Sequence, residues 1–162
     1  MANIMSGQAK LDLVLGRKVD KSTVTLGGST KSLFTIAGGR VLVTSLVGRV
    51  TVAIGATTSN LKFVYNPTAA GTSFDLCTAV DIASDAVEQT YHLASTSTDA
   101  APGALIVTGA VGQAIPGVLA FPMILQAGEI EANFSADPTG AGAIQWSCTY
   151  VPYDAAATLV AS

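Results

Sequence analysis

The sequence predicts an all-β fold, a single-domain β-sandwich of jelly-roll type. Short runs rich in Val, Ile and Thr are separated by Gly, Pro, Asn and Asp, and helical periodicity is nearly absent. The 162 residues suit one domain, and no internal repeat is visible. We expect the sandwich to span 21–154, with 1–20 as an N-terminal arm or edge strand and 155–162 as a C-terminal tail.

Five predicted strands occupy the first half of the chain: 23–26, 32–36, 40–54, 60–65 and 73–80. The run 40–54 is the strongest, and Gly48 at its middle predicts a bulge or bend. The strand 60–65 stops at Asn66-Pro67, because proline cannot donate a ladder hydrogen bond.

The second half predicts an apolar strand at 118–125, in which Pro122 marks an edge or kink, and then a hairpin. Its first strand, 129–135, alternates, with Glu129 and Glu131 outward. The tetrad 137–140 (DPTG) is a turn. The return strand, 143–151, has the cleanest two-residue period in the chain. It places on one face Ile144, Trp146, Cys148 and Tyr150. The only helix we expect is short, at 81–89.

Charged residues are scarce, at 12% of the chain against about 25% in a typical domain. The apolar content of 49% excludes a disordered chain, and two cysteines exclude a disulfide scaffold. Eight basic residues are too few for a dedicated nucleic-acid binder. Either the surface is polar and nearly neutral, or part of it is buried against copies or partners. The second alternative is favoured and predicts an oligomer within a larger assembly.

The charges are also unevenly distributed. All eight basic residues lie between Lys10 and Lys62, so residues 1–62 carry 8 minus 2, or +6, and residues 63–162 carry -9. The two parts either face different neighbours or interleave in one domain and neutralise each other.

Two segments bear on targeting. The N-terminus lacks a basic start followed by an apolar run, which argues against a signal peptide. The charge-free segment 100–128 contains three prolines and five glycines in 29 residues. Because these residues break helices, buried strands and loops are preferred over a transmembrane or fusion-peptide segment.

No pattern of reactive residues predicts catalysis, a cofactor or a metal. His92, the one histidine, has no nucleophile elbow nearby and is expected as a surface or half-buried strand residue. Cys77, Cys148 and His92 lack the close ligand pairs of a zinc site. We expect both thiols to be reduced and partly buried, and the sequence leaves open whether they lie close together.

Three weaker motifs have simpler explanations. Three aspartates, Asp75, Asp81 and Asp85, lack calcium-loop spacing. Glu129 and Glu131 are explained by a solvated strand face. The segment 27–32 (GGSTKS) ends in Lys-Ser but has Thr30 before the lysine, so it is not a phosphate-binding loop.

Several motifs carry a resemblance. They are Gly38-Gly39 before the long strand, Asn66-Pro67-Thr68, Asp75-Leu76-Cys77, and Trp146 followed by Tyr150-Val151-Pro152 and Asp154. In this order the chain from Phe34 to Asp154 resembles a family of small structural proteins of tailed bacteriophages, the minor capsid or capsid decoration proteins, typically encoded beside the major capsid protein.

The resemblance implies a non-enzymatic virion protein that decorates and stabilises the outside of a capsid. Its expected partners are the major capsid protein and itself as a homotrimer, with neither nucleic acid nor membrane. It would be made in the bacterial cytoplasm and located on the capsid exterior.

Two sets of contact residues follow as hypotheses. An arm with Lys10, Arg17, Lys18 and Lys21 would pair with capsid carboxylates, and residues 11–15 (LDLVL) would add a strand to a neighbour. The charge-free segment would form the subunit interface through Ile115, Val118, Leu119 and Phe121. Two other classes stay open: a tail or fibre-base module that binds host glycans, and a membrane-active protein that uses residues 100–128.

Overall fold

The computed structural model describes residues 7, 12, 14–27, 30–93, 122–136 and 142–162, and the backbone of 103–108. It confirms the predicted all-β class, with two antiparallel sheets packed as a sandwich. In chain order the strands are β1 (Arg17–Thr25), β2 (Thr30–Ala37), β3 (Val41–Val52), β4 (Asn60–Pro67), β5 (Phe74–Asp75), β6 (Cys77–Thr78), β7 (Val80–Asp81), β8 (Thr90–Leu93), β9 (Gly103–Thr108), β10 (Met123–Leu125), β11 (Gly128–Phe134), β12 (Ala143–Pro152) and β13 (Thr158–Ala161).

The strands divide between two sheets. Among the described residues, the first sheet has the order β1-β12-β3-β8-β9-β6, with β10 also paired to β3. The second has the order β13-β2-β11-β4-β5, with β7 also paired to β4. One of the described pairings, β6 with β9, is parallel. Strands β1 and β13 are thus edge strands of the two sheets.

Trp146 is the centre of the core. It has no exposed surface, and its ring lies edge-on to Phe63 (centroids 5.2 Å apart) and stacks on Tyr91 (6.4 Å). The predicted face of β12 is confirmed, because Ile144, Trp146, Cys148 and Tyr150 are all buried. Burying such aromatic rings supplies much of the hydrophobic free energy of a small sandwich.

Gly48 has a different role from the one predicted. It pairs directly with Trp146, and the register shifts of the β3–β12 ladder lie on either side, at 143/144 and 149/150. A Cβ on Gly48 would lie 2.3 Å from Cζ3 of Trp146. The expected bulge at Gly48 was therefore wrong: the glycine makes room for the indole ring.

The predicted hairpin is also corrected. Strand β11 pairs with β2 and β4 in the second sheet, whereas β12 pairs with β1 and β3 in the first. The outward placement of Glu129 and Glu131 is right, since Ile130 between them is fully buried. Alternation defines which face of a strand is buried but does not choose its partner, and these strands face each other across the core. The predicted turn at 137–140 lies outside the described residues.

Asp81 ends β7, and residues 82–89 form turns and irregular backbone in place of the expected helix. Ser84 and Glu88 have φ of 63° and 70°, which a right-handed helix does not tolerate. The backbone of this loop instead bonds to the end of β3 and to the residues just after it: Glu88 N–H donates to Val50 O (2.9 Å), and Ile54 N–H donates to Asp85 O (2.9 Å). Asp81 Oδ1 accepts the Ala83 N–H at 3.0 Å, an Asx turn that competes with helix.

The C-terminus departs from expectation, whereas part of the N-terminal segment follows one of the two expected alternatives. Residues 158–161 form β13 on β2, which corrects the expected C-terminal tail; Leu159 packs into the core at 2% exposure. For residues 1–20 an arm or an edge strand was expected; residues 17–20 belong to the edge strand β1, which continues past the expected boundary to Thr25.

The segment 11–15 was expected to form an added strand, but its described residues are helical. The backbone is α-helical at Gly7, Asp12, Val14 and Leu15. Gly16 N–H donates to Asp12 O at 3.1 Å, and Gly16, with φ of 77°, ends the helical turn. The described residues of 11–15 are thus helical in the free chain, and their addition as a strand to a neighbour stays a prediction.

Candidate interaction surface

One end of the sandwich presents a fixed group of exposed side chains, Arg40, Tyr153 and Asp154, here termed the Arg40 corner. Nε and Nη2 of Arg40 donate to the two carboxylate oxygens of Asp154 at 3.0 and 2.9 Å. The Arg40 N–H donates to the same carboxylate at 2.8 Å. In return, the backbone N–H groups of Tyr153 and Asp154 both donate to Arg40 O. This bidentate contact fixes the guanidinium in one orientation.

Two glycines allow the chain to form this corner. Gly38 and Gly39 link β2 to β3 with φ of 73° and 144°. A Cβ on Gly38 would lie 2.2 Å from Ala156 O, and one on Gly39 would lie 2.8 Å from Cβ of Asp154. Only glycine permits both the backbone conformation and the close approach of residues 154–156.

The corner is exposed in spite of its bonds. The Arg40 guanidinium lies over the Tyr153 ring, 4.7 Å from its centroid, and Tyr153 is 55% exposed. Hydrogen bonds from Arg40 lower the pKa of Asp154 to about 2, so the carboxylate is ionised at neutral pH. Arg and Tyr are enriched at the energetic centres of protein interfaces, and groups already held in place lose little entropy on binding.

A second feature adjoins the corner, because Leu125 pairs with Val41, the residue after Arg40. It is a concave space of about 390 Å³, here termed the apolar groove, lined by Tyr65, Pro67, Ala69, Ala70, Gly71, Phe74, Ile124, Leu125 and Gln126. Phe74 and Ile124 are each 50% exposed. Together these residues form an apolar surface without a partner among the described residues.

A third feature is a polar groove of about 330 Å³ on the outer face of the first sheet, lined by Lys18, Asp20, Val47, Arg49, Thr90, Gln145, Trp146 and Ser147. Arg49 donates to both oxygens of Glu88 at 3.2 Å and to Gln145 Oε1 at 3.0 Å. Lys18 pairs with Asp20 at 2.8 Å. The groove thus offers hydrogen-bond donors and acceptors with most charges already compensated.

Ion pairs show how the uneven charges are arranged. Three pairs join the basic first part of the chain to the acidic remainder: Arg40–Asp154, Arg49–Glu88 and Lys62–Asp75. The two other described pairs, Arg17–Asp12 and Lys18–Asp20, lie within the first part. This arrangement favours interleaving of the two parts within one domain over separate charged surfaces.

The structure divides the predicted capsid-contact residues. Alternation along β1 places Arg17 and Lys21 on the face that carries Val19, which packs against the core, and Lys18 on the opposite face. Lys10 lies outside the described residues. The predicted interface residues lie outside them as well: Ile115, Val118, Leu119 and Phe121.

The residues considered for chemistry occupy structural positions. His92 lies in β8, as predicted, but is only 1% exposed, and neither ring nitrogen has a hydrogen-bond partner among the described residues. Burial lowers its pKa and keeps it neutral. Cys77 and Cys148 are free and buried, and desolvation raises their pKa values to about 11 and about 12.

Two further findings hold for the described residues. No group of three or more His, Cys, Asp or Glu side chains could hold a metal ion. No helix within the described ranges is long and apolar enough to cross a membrane. Comparison with known proteins found no matching family model, no matching curated protein and no matching solved structure.

Sequence reasoning did not identify the Arg40 corner or the apolar groove. In the sequence, Gly38-Gly39 and Asp154 are recognisable only as separate motifs. Arg40 and Asp154 are 114 residues apart in the chain. An available signal was the rare Gly-Gly pair before a charged residue, which indicates a close backbone approach. The groove assembles from three distant segments and left no local pattern.

Proposed function

We propose that this protein is a structural virion protein that binds the outside of a bacteriophage capsid as an oligomer and stabilises it. Its partners are then the major capsid protein and further copies of itself. The protein is made in the bacterial cytoplasm and ends on the capsid exterior. The proposal joins the motif resemblance from Phe34 to Asp154 to the surface that the sandwich presents.

The Arg40 corner is the observation that supports this proposal most. Arg40 and Tyr153 are held by Asp154 and remain half exposed. A side chain that needs no rearrangement contributes more of its contact energy to affinity. We assign the corner as the capsid contact, together with Arg17, which begins β1 opposite Tyr150 at the same end. Lys10, Lys18 and Lys21 remain proposed contacts further along the arm and β1.

Co-sedimentation tests this function. Purified protein is mixed with empty heads that lack it, assembled from the major capsid protein of the same phage. Saturable co-sedimentation is expected, and Arg40→Ala should weaken it about five- to thirty-fold, as for an anchor residue that contributes about 1–2 kcal/mol. Arg49→Ala is the matched control, because the side chains of Arg40 and Arg49 are both 48% exposed and ion-paired. Wild-type protein that stays in the supernatant would contradict the proposal.

The polar groove favours a second candidate, a tail or fibre-base module that binds host glycans. Hydroxyl groups both donate and accept, as Gln145, Ser147 and the charged pairs of the groove do. The same two variants separate the candidates. A glycan-binding protein would lose binding on a glycan array with Arg49→Ala and keep it with Arg40→Ala, the reverse of the result expected for a capsid contact.

A further inference from the structure

His92 is a buried, titratable side chain whose polar atoms the described part of the fold does not satisfy. It is 1% exposed, and neither ring nitrogen has a hydrogen-bond partner among the described residues. The indole N–H of Trp146 is also unpaired there, but it does not titrate. By contrast, the buried Ser59 hydroxyl donates to Ala136 O at 2.8 Å. Because buried polar groups are nearly always hydrogen-bonded, an unpaired imidazole calls for an explanation.

The His92 ring lies on the outer face of the first sheet, away from the Trp146 core. Gly48 pairs with Trp146 on one side and with Tyr91 on the other, and these two rings stack in the core. Alternation along β8 therefore directs His92 to the opposite face. Its partner Val47 lines the polar groove on that face. The imidazole is thus separated from the aromatic cluster by the sheet itself.

His92 also ends the short ladder that attaches β8 to the rest of its sheet. Strand β8 joins β3 where residues 90–92 pair with 47–49, whereas the ladder between β3 and β12 runs from Val41 to Val52. Strand β9 pairs with β8, and it meets β6 only at Cys77-Thr78. Among the described pairings, β8 and β9 are therefore weakly attached to β3, and His92 lies in the terminal pair.

Among the described residues, no unpaired carboxylate faces His92 from the strands around it. On β3 the same face carries Arg49, which is diagonal to His92 and hence about 7–8 Å away. Arg49 already donates to both carboxylate oxygens of Glu88. On β8 the same face carries Thr90, and β9 contributes no charged residue. Asp99, the one charged residue of 94–121, lies outside the described residues.

We propose that His92 is an acid-sensitive switch in the fold: protonation of its ring releases β8 and β9 from β3 and opens that side of the first sheet. An imidazolium donates from both nitrogens, and the described residues offer it no acceptor. It gains acceptors from water once β8 leaves β3. The response belongs to the free protein and does not depend on the partner that the protein binds.

The direction of the pH dependence follows from the burial. Desolvation lowers the pKa of His92 below its ordinary 6.5. The stability linked to His92 is therefore fully present above about pH 6.5 and falls as the pH drops from there toward the folded-state pKa. Burial raises the pKa of Asp85, which acts in the opposite sense, because the folded protein then favours the protonated carboxyl. A loss of stability between pH 7 and pH 5 is thus assigned to His92.

The first test is an NMR titration of the wild-type protein. His92 is the one histidine in the chain, so its ring-proton signals need no assignment. We expect protonation with a midpoint below 6.5, together with faster hydrogen exchange, corrected for its intrinsic pH dependence, at the amides of 90–92. The amides of 144–148 in β12 should stay protected. A midpoint at or above 6.5, or equal acceleration in β8 and β12, would overturn the proposal.

The second test compares stabilities at pH 7 and pH 5. The folding equilibrium constant of the wild type should fall about tenfold between these values, as for a group whose pKa differs by about one unit. His92→Phe and His92→Gln do not titrate and should each change less than twofold. Glu131→Gln is the matched control, because it removes a titratable group from the outer face of the second sheet, and it should keep the wild-type loss.

Fluorescence of Trp146, the one tryptophan, follows the opening, because Tyr91 of β8 stacks on its ring. Its emission should change between pH 7 and pH 5 in the wild type and in Glu131→Gln, and stay constant in both His92 variants. An equal acid response of the wild type and the His92 variants would overturn the switch. If neither variant folds, the midpoint and the exchange pattern of the wild type decide.

Discussion

Around Trp146 every large side chain is enclosed by others, whereas at the Arg40 corner side chains of similar size are held in place and left half exposed. Trp146 is fully buried between Phe63 and Tyr91, with Gly48 making room for its ring. Tyr153 is 55% exposed although Arg40 lies over it. The first region is complete within one chain. In the second region the side chains are fixed as in a core but remain exposed to solvent, which is the property expected of the proposed binding surface.

The largest expected effect comes from adding a methyl group against the Trp146 ring. Gly48→Ala places a Cβ within 2.3 Å of the indole ring, so the ring or the backbone must move. We expect a loss of about 3 kcal/mol in the free energy of unfolding, measured by urea denaturation. Gly27→Ala is the control, because its Cβ would meet nothing closer than 3.7 Å and should change stability by less than about 0.5 kcal/mol. Equal stabilities of the two variants would show that the ring is not tightly enclosed.

A smaller loss is expected from the hydroxyl that ties the 81–89 loop to the Trp146 region. The Tyr91 hydroxyl donates to Asp85 Oδ2 at 2.6 Å. Tyr91→Phe removes one of the side-chain donors to that carboxylate and should cost about 1–2 kcal/mol in unfolding free energy. Tyr153→Phe should leave stability unchanged within error. A larger effect at Tyr153 than at Tyr91 would reverse the contrast between the two regions.

The stability that the Arg40 corner contributes should depend on pH. The folded-state pKa of Asp154 is about 2, below its ordinary 3.8, so its contribution to stability is present above about pH 4 and lost as the pH falls toward 2. Asp154→Asn should remove this part of the acid sensitivity. The measurement is the unfolding free energy of both proteins at several pH values between 5 and 2. Parallel curves for the two proteins would contradict the bond between Arg40 and Asp154.

The smallest expected effect is that neither cysteine thiol reacts in the native protein. Cys77 and Cys148 are buried, and their raised pKa values leave almost no thiolate at pH 8. A disulfide reagent should label neither thiol in the native protein and both after unfolding. Rapid labelling of one thiol in the native protein would mean that the region around it opens readily.

Local patterns predicted the parts of the fold that depend on one strand at a time. The buried face of β12 and the outward glutamates of β11 follow from a two-residue period alone. The partners of those strands, the role of Gly48 and the strand β13 depend on contacts across the chain. The helix predicted at 81–89 failed because most of its backbone hydrogen bonds go to residues outside the segment, such as Val50 and Ile54, and its own described bonds are two isolated turns. The Arg40 corner was beyond prediction for the same reason, since its members lie on distant segments.

Oxidative footprinting of Tyr153 is the most direct test of the central claim, that the Arg40 corner is the binding surface. Hydroxyl radicals would modify the half-exposed ring in the free protein and should modify it several-fold more slowly once the protein is bound to empty heads. Val52, similarly exposed outside the corner, should keep its rate. Unchanged oxidation of Tyr153 on saturated heads, with protection elsewhere, would contradict the account.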